Sequence, residues 1–420
     1  MEYGFGGSVL SSHCETDSGI MMQSDAVIRD ICDVVKAECN AVFGDRILSL
    51  VLTGSAARGE ATIVHSENGW KVLGDAELLV ILRRTPTVAD KTSMDVVKRA
   101  SADKLRSQGI VVAIDLGVVT GSYLKNLPPY IFSYELRANG RVVSGDPTIL
   151  QLIPQFAITD ISREDAWRML CNRMIEQLSF VDDLSKSIAQ MTQNLHYATV
   201  KLFLDMATSY LVFVGKYEPT YRERAKRLES LAGEDGNEAP FPLRKFANRI
   251  AECTAWKLSG DESNCDLRLE LWHEAISYLR QLWRWEVMRM IKTTGNFSDA
   301  ELCSRLSKQL TRWQKLRGWA SVLKRSGGFK SWHNWRRWSK LGLRATPRYW
   351  IYRAGMEMAF NLPDLVAPTA DGSKLGLDYL QLASILPMCK MKSGSREEVW
   401  RLLARQIAAN YWKYLADTRA

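Results

Sequence analysis

The sequence contains no uninterrupted apolar run long enough to cross a bilayer, which takes about 20 residues, so no transmembrane helix is expected. Histidine is scarce, with five residues in 420, and these do not cluster. The eight cysteines show no metal-type pairing, since Cys32 and Cys39 are too far apart for a zinc knuckle and fall on a helical pattern. Zinc centres built on cysteine and histidine are thereby excluded, and free thiols in a reducing compartment are expected. Residues 1–17 are rich in Gly and Ser but lack a basic segment followed by an apolar core. No signal peptide is recognised, and a cytoplasmic location is the expectation.

What is present is ordinary in proportion and biased in sign. The apolar fraction of 46% and the charged fraction of 25% suit a globular chain long enough for two or three domains. The formal net charge of +9 suits polyanionic partners such as nucleotide phosphates, nucleic acid or anionic lipid. A basic protein with no special partner is the alternative.

Residues 1–23 read as a disordered N-terminal segment. Ser24 then looks like an N-cap, and Val27, Ile28, Ile31, Val34 and Val35 recur at helical spacing until Gly44 stops the helix. A short apolar strand follows from Arg46 to Thr53. Ala61 to Leu73 can form two strand arms around the turn Asn68-Gly69. Asp75 to Leu82 reads as a strand, 86–107 as an amphipathic helix and Ile110 to Val119 as another strand. From about residue 161 strand signals almost vanish and long helical patterns take over. The expected fold class is therefore α+β: an N-terminal mixed β-sheet with flanking helices over 24–160, then a large all-α region. The latter is read as a helical domain over 161–293 and a basic, Trp-rich helical region over 294–420.

Two segments of the first domain carry chemistry. Leu52-Thr53-Gly54-Ser55-Ala56-Ala57-Arg58-Gly59-Glu60 leaves an apolar strand and turns on a Gly-Ser pair. Gly54 lets the backbone approach a phosphate closely, Ser55 adds a hydroxyl donor, and Arg58 offers a planar donor for phosphate oxygens. Glu60 can instead be a structural partner of Arg58. The second segment, Gly74-Asp75-Ala76-Glu77, opens an apolar strand with two carboxylates two residues apart, and side chains at that spacing share a face. A third acid, Asp115, sits inside another apolar run. Three neighbouring carboxylates repel one another and normally need a cation to stay jointly ionised. Mg²⁺ suits such hard oxygen ligands and completes its shell with substrate phosphates.

The order of these parts resembles the polymerase-β-like nucleotidyltransferase superfamily over roughly Ser24 to Pro147. It is most similar to the bacterial branch of minimal and aminoglycoside nucleotidyltransferases. The shared pattern is a Gly-Ser turn after one strand, an Asp-x-Asp/Glu pair on the next and an acid on a later strand. Here these are Gly54-Ser55, Asp75-Ala76-Glu77 and Asp115. Two departures stand out: Glu77 replaces the commoner Asp, and the gap between Gly-Ser and Asp75 is lengthened by the Asn68-Gly69 hairpin. The resemblance implies two Mg²⁺ ions held by Asp75, Glu77 and Asp115, with Gly54, Ser55 and Arg58 on the nucleotide. It implies a nucleoside triphosphate donor and transfer of a nucleoside monophosphate, AMP from ATP, to a hydroxyl of a small-molecule, sugar or protein acceptor. The alternative function is a catalytically weak nucleotide-binding or interaction protein.

Relatives commonly carry a helical domain that binds the acceptor, and in the antibiotic-modifying ones an acid of that domain acts as general base. Glu176, Asp182, Asp183 and Asp205 are candidates by location only, with ordinary surface or capping roles expected first. Residues 312–350 hold Trp313, Trp319, Trp332, Trp335, Trp338 and Trp350 among many Arg and Lys. Such a mixture suits packing inside a helical domain, and that reading leads. Contact with nucleic acid, an anionic membrane or a partner protein are the alternatives.

Overall fold

The computed structural model describes residues 12–67, 69–186, 191–234, 238–260, 268–325, 335–366, 378–388 and 396–418, without the side chains of 12–23, 66, 185–186, 324–325, 335–336, 396–397 and 417–418. Its contacts divide the chain into two units. The first comprises Met1–Ile161, Pro219–Tyr221 and Ala255–Asn264, and the second Ser162–Glu218, Arg222–Thr254 and Cys265–Ala420.

The first unit begins with helix α1 (Ser12–Phe43) and strand β1 (Ile47–Leu52). The one-turn helix α2 (Gly54–Ala57), strands β2 (Thr62–Ser66) and β3 (Gly69–Leu82), and helix α3 (Val88–Ser107) follow. Strand β4 (Ile110–Thr120), helices α4 (Gly121–Lys125) and α5 (Ile131–Asn139), and strand β5 (Arg141–Gly145) complete it. The sheet is mixed. β3 pairs antiparallel with β2 along its first half and with β1 along its second, while β4 runs parallel to it on the other edge. β5 pairs antiparallel with β1.

Alternation along β3 explains why the sheet has two differently used faces. Ala76, Leu78, Val80 and Leu82 are buried with Val27, Ile31 and Val35 of α1 and Met94, Val97 and Leu105 of α3. The intervening Leu79 and Ile81 join Val51, Leu124, Leu127 and Leu136 in a second core. Asp75 and Glu77 continue the Leu79–Ile81 row but are exposed. Thr87 caps α3 by accepting from the Asp90 amide, while the Asp90 carboxylate accepts from the Thr87 amide at 2.8 Å.

Three sequence expectations change in this unit. The helix expected to start at Ser24 runs back to Ser12, because extending a formed helix costs far less than nucleating one; residues 1–11 lie outside the described set. The strand arm before Gly74 and the strand after it are one continuous β3, with a register shift against β4 between Lys71 and Asp75, where Gly74 has φ +108°. Helix α5 has no counterpart in the sequence reading, since Pro128-Pro129 reads as a break.

The second unit holds helices α6 (Arg163–Gln177), α7 (Val181–Lys186), α8 (Gln193–Phe213), most of α9 (Tyr221–Gly233) and of α10 (Leu243–Ser259), and α11 (Leu269–Met290). It continues with α12 (Asp299–Lys308), α13 (Arg312–Arg325), α14 (Trp335–Arg344), α15 (Pro347–Val366), α16 (Tyr379–Ile385) and α17 (Arg396–Thr418). The division expected at 293/294 falls inside this one unit, because α15 packs on both α6 and α11. The α6–α15 crossing is close: a Cβ on Gly355 would lie 2.5 Å from Ile175 Cγ1. Tryptophans are central to this core, with Trp272 and Trp283 fully buried. The described residues hold no helix long and apolar enough to cross a membrane.

The tryptophan-rich segment divides by position. Trp319, Trp338 and Trp350 are buried, and their indole N–H groups donate to the carbonyls of Ala345, Pro387 and Leu341 at 2.8, 2.8 and 3.1 Å. These three belong to the packing, with their polar ends satisfied. Trp313 is 68% exposed. Trp332 and the side chain of Trp335 lie outside the described residues.

Candidate functional site

Strand pairing brings the three sequence-identified acids together. Glu77 and Asp115 are direct cross-strand partners in the parallel β3–β4 ladder, and Asp75 lies two residues before Glu77 on the same face. All three are exposed. The neighbouring residues Ala76 and Leu116 are buried on the opposite face, so a one-residue slip would bury the acids and expose the core.

Gly54 stands against this cluster. The Thr53 amide donates to the Glu77 carbonyl at 2.9 Å, which ties the end of β1 to β3 at the acid pair. The chain then turns through Gly54 at φ +66°, and a Cβ there would lie 2.8 Å from Glu77 Oε2. Both the left-handed backbone and the close approach to a carboxylate require glycine. Ser55 follows in α2 and is partly exposed.

Asp115 Oδ1 accepts from Lys98 Nζ of α3 at 2.8 Å. α3 packs on the other face, but β4 pairs only with β3, so the long lysine can reach around the edge. Among the described residues, no group of three or more His, Cys, Asp or Glu side chains converges closely enough to hold a metal ion. Asp115 is engaged by Lys98 in place of a metal-type cluster. The donor set itself, three hard oxygens on one sheet face, suits Mg²⁺ once Asp115 leaves Lys98.

Arg58 is placed differently from the sequence expectation. Its side chain is 4% exposed, with Nε 3.1 Å from Glu60 Oε2 and Nη1 2.5 Å from Glu135 Oε2. Its guanidinium also lies 5.1 Å from the Tyr221 ring centroid. Glu60 accepts in addition from the Tyr221 amide at 3.0 Å, and Lys257 Nζ donates to the Glu60 carbonyl at 3.2 Å and to Thr62 Oγ1 at 2.7 Å. Arg58 is thus the centre of a buried ionic network that holds the loop after α2. Glu135, Tyr221 and Lys257 give no sequence signal, because they come from α5 and from two distant segments that fold into the first unit.

This geometry carries a stability prediction. Arg58→Ala removes the shared cation from two carboxylates, one of them nearly fully buried, and is expected to destabilise the first unit by about 3 kcal/mol. Arg58→Lys is expected to recover little, since a single ammonium cannot serve both acids in the same geometry. Chemical denaturation of the full chain checks both; two variants with wild-type midpoints would return Arg58 to an unburdened role.

Of the four candidate acids of the helical unit, Glu176, Asp182 and Asp205 are engaged in ion pairs. Arg173 binds Glu176 and, at 2.7 Å, Asp205. Arg405 pairs with Asp182, while Asp183 accepts from Thr192 at 3.4 Å. The five described cysteines are free and buried. Burial pushes the Cys32 thiol up to about 11 and those of Cys39 and Cys303 to about 12, which leaves them unreactive as nucleophiles.

No protein-family model, curated protein or solved structure matches this chain.

Proposed function

We propose that the first unit is a Mg²⁺-dependent nucleotidyltransferase domain that moves a nucleoside monophosphate, AMP from ATP, to a hydroxyl acceptor in the cytoplasm. The observation that carries this reading is the register Glu77↔Asp115, with Asp75 on the same face and Gly54 seated against Glu77. Asp75, Glu77 and Asp115 would hold the metal ions through their carboxylate oxygens. Bound Mg²⁺ supplies charge neutralisation for the triphosphate and acidifies the acceptor hydroxyl. Gly54 and Ser55 hold phosphate oxygens through a backbone that no Cβ obstructs. In the transfer, the acceptor oxygen bonds to the α-phosphorus as the bond to the β-phosphate breaks. Pyrophosphate leaves, and Asp115 takes the acceptor proton. Lys98, released from Asp115, is left to answer the negative charge of the donor. Arg58 positions the loop and does not touch substrate.

A second reading has its own support. The Asp115–Lys98 pair satisfies the third acid without a metal, as in a domain that binds nucleotides and no longer transfers them. Incubation of the full chain with each of the four α-labelled triphosphates, Mg²⁺ and a cell extract separates the two. Transfer predicts label on an extract component together with pyrophosphate release. Triphosphate binding with no release under Mg²⁺ or Mn²⁺ would leave the second reading in place.

A further inference from the structure

The helical unit contains a cavity of about 360 Å³ lined by aromatic, aliphatic, charged and amide side chains. Trp167 and Tyr349 supply aromatic surface, while Arg163, Arg289 and Lys292 supply cations and Gln309 an amide. The volume is in the range of small-molecule sites. Two donors are unspent. The Trp167 indole N–H and the Arg289 Nε–H are buried with no hydrogen-bond partner, and Trp167 is only 6% exposed. Buried donors of this kind normally find a partner, and both belong to residues that line the cavity. The Arg289 guanidinium lies 4.2 Å from the Trp285 ring centroid and gives one N–H to Glu238 at 3.0 Å. Neither Arg163 nor Lys292 has a carboxylate partner among the described residues. The acid in the lining, Glu164, is paired with Arg168 at 2.6 Å. The adjoining cleft adds Arg305 and Lys308 together with one acid, Glu301.

Lys292 carries a further mark. Helix α11 ends with the Thr293 amide donating to the Met288 carbonyl at 3.0 Å and the Lys292 amide to the Arg289 carbonyl at 3.3 Å. This is the Schellman arrangement, whose left-handed position is normally glycine. Here that position is Lys292, the one non-glycine residue with positive φ among the described residues, at +51°. A lysine held where glycine is favoured is a local cost, and costs of this kind gather at binding sites.

We propose that this cavity binds a small phosphate monoester bearing a flat ring. The phosphate meets Arg163, Arg289 and Lys292, whose combined charge exceeds what a single carboxylate would balance. The ring lies against Trp167 and Tyr349. Every wall of the cavity belongs to the second unit.

The test uses the full chain carrying Asp75→Ala, in EDTA, with phenyl phosphate as the probe in titration calorimetry. Inorganic phosphate and phenol are the half-ligands, and benzoate is the carboxylate control. Phenyl phosphate is expected to bind more tightly than any of the three. Arg163→Ala and Lys292→Gly should each weaken it by about tenfold, the loss of one charged contact. Lys292→Gly should also leave the melting temperature unchanged or higher, because glycine relieves the left-handed residue; this separates lost binding from lost folding. No heat with phenyl phosphate at millimolar concentration, or equal affinity in wild type and both variants, overturns the proposal. Equal affinity for benzoate overturns the assignment to phosphate.

Discussion

Asp75→Asn is expected to abolish nucleotidyl transfer, with a loss on the order of 10³-fold or more in kcat/KM, while leaving the fold intact. Asparagine matches aspartate in shape, and the side chain at 75 is exposed at the end of the Leu79–Ile81 row. No buried contact is removed, and one of three like charges on the sheet face disappears. Stability should therefore stay within about 0.5 kcal/mol of wild type or rise. Asp75→Asn leaves Glu77 and Asp115 as the charged donors, too few to be shared by two metal ions. The control is Lys98→Ala, which frees Asp115 from its 2.8 Å ion pair. It should lower the metal concentration needed for half-maximal activity without supplying any donor of its own. A fully active Asp75→Asn would sink the assignment of the acids, and with it the proposed chemistry. An inactive variant that has also lost its cooperative unfolding would count for nothing, so activity and denaturation must be measured on the same preparation.

The second large effect is on stability against pH. Glu286 of α11 is completely buried, with one oxygen accepting from the Ser209 hydroxyl at 2.5 Å and the other lacking a partner among the described residues. Burial pushes its carboxyl from 4.5 up to about 8, an effect the Ser209 hydrogen bond only partly offsets. Because the folded value lies above the unfolded one, the folded state holds its proton more tightly. The stabilisation is fully present below pH 4.5 and is lost as pH rises to about 8. Within that window the contribution of this residue should fall by about 1.4 kcal/mol per pH unit, several kcal/mol in all. Glu286→Gln keeps the shape and removes the titration. The difference between wild type and variant, followed by urea unfolding from pH 5 to 8, should therefore grow steadily in the variant's favour. A difference that stays constant across those pH values would show that Glu286 does not titrate in this window.

Much of the first unit is legible in the order of its residues. The alternation along β3, the glycine stops and the turn signals are local, and they give strands and helices close to those observed. The acids, too, are legible as a set, because spacing by two places Asp75 and Glu77 on one face whatever the partner strand. The burial of Arg58 is not legible. Its partner Glu135 lies on a helix hidden behind Pro128-Pro129, and the Tyr221 and Lys257 that complete the network come from residues far along the chain. Sequence spacing reports which residues are near in the chain and on which face, and it carries no information on contacts made by chain return.

The same division runs through the helical unit. Its helical pattern runs on through 298–324 with no proline, yet the chain there forms two helices, α12 and α13. Thr311 is where they part, its hydroxyl accepting from the Gln314 amide at 3.1 Å. The tryptophans near residue 340 look alike in sequence, but Trp319 and Trp338 find backbone carbonyls in the interior while Trp313 stays outside. By itself the sequence determined the α+β order, the faces of the strands and the identity of the acids, since these follow from backbone periodicity and side-chain chemistry. Only the tertiary structure decided that Glu77 and Asp115 stand side by side, that Arg58 is a buried clamp and that the helical region is one unit. Each of those depends on which distant surfaces meet, and that is settled by the packing of the whole chain.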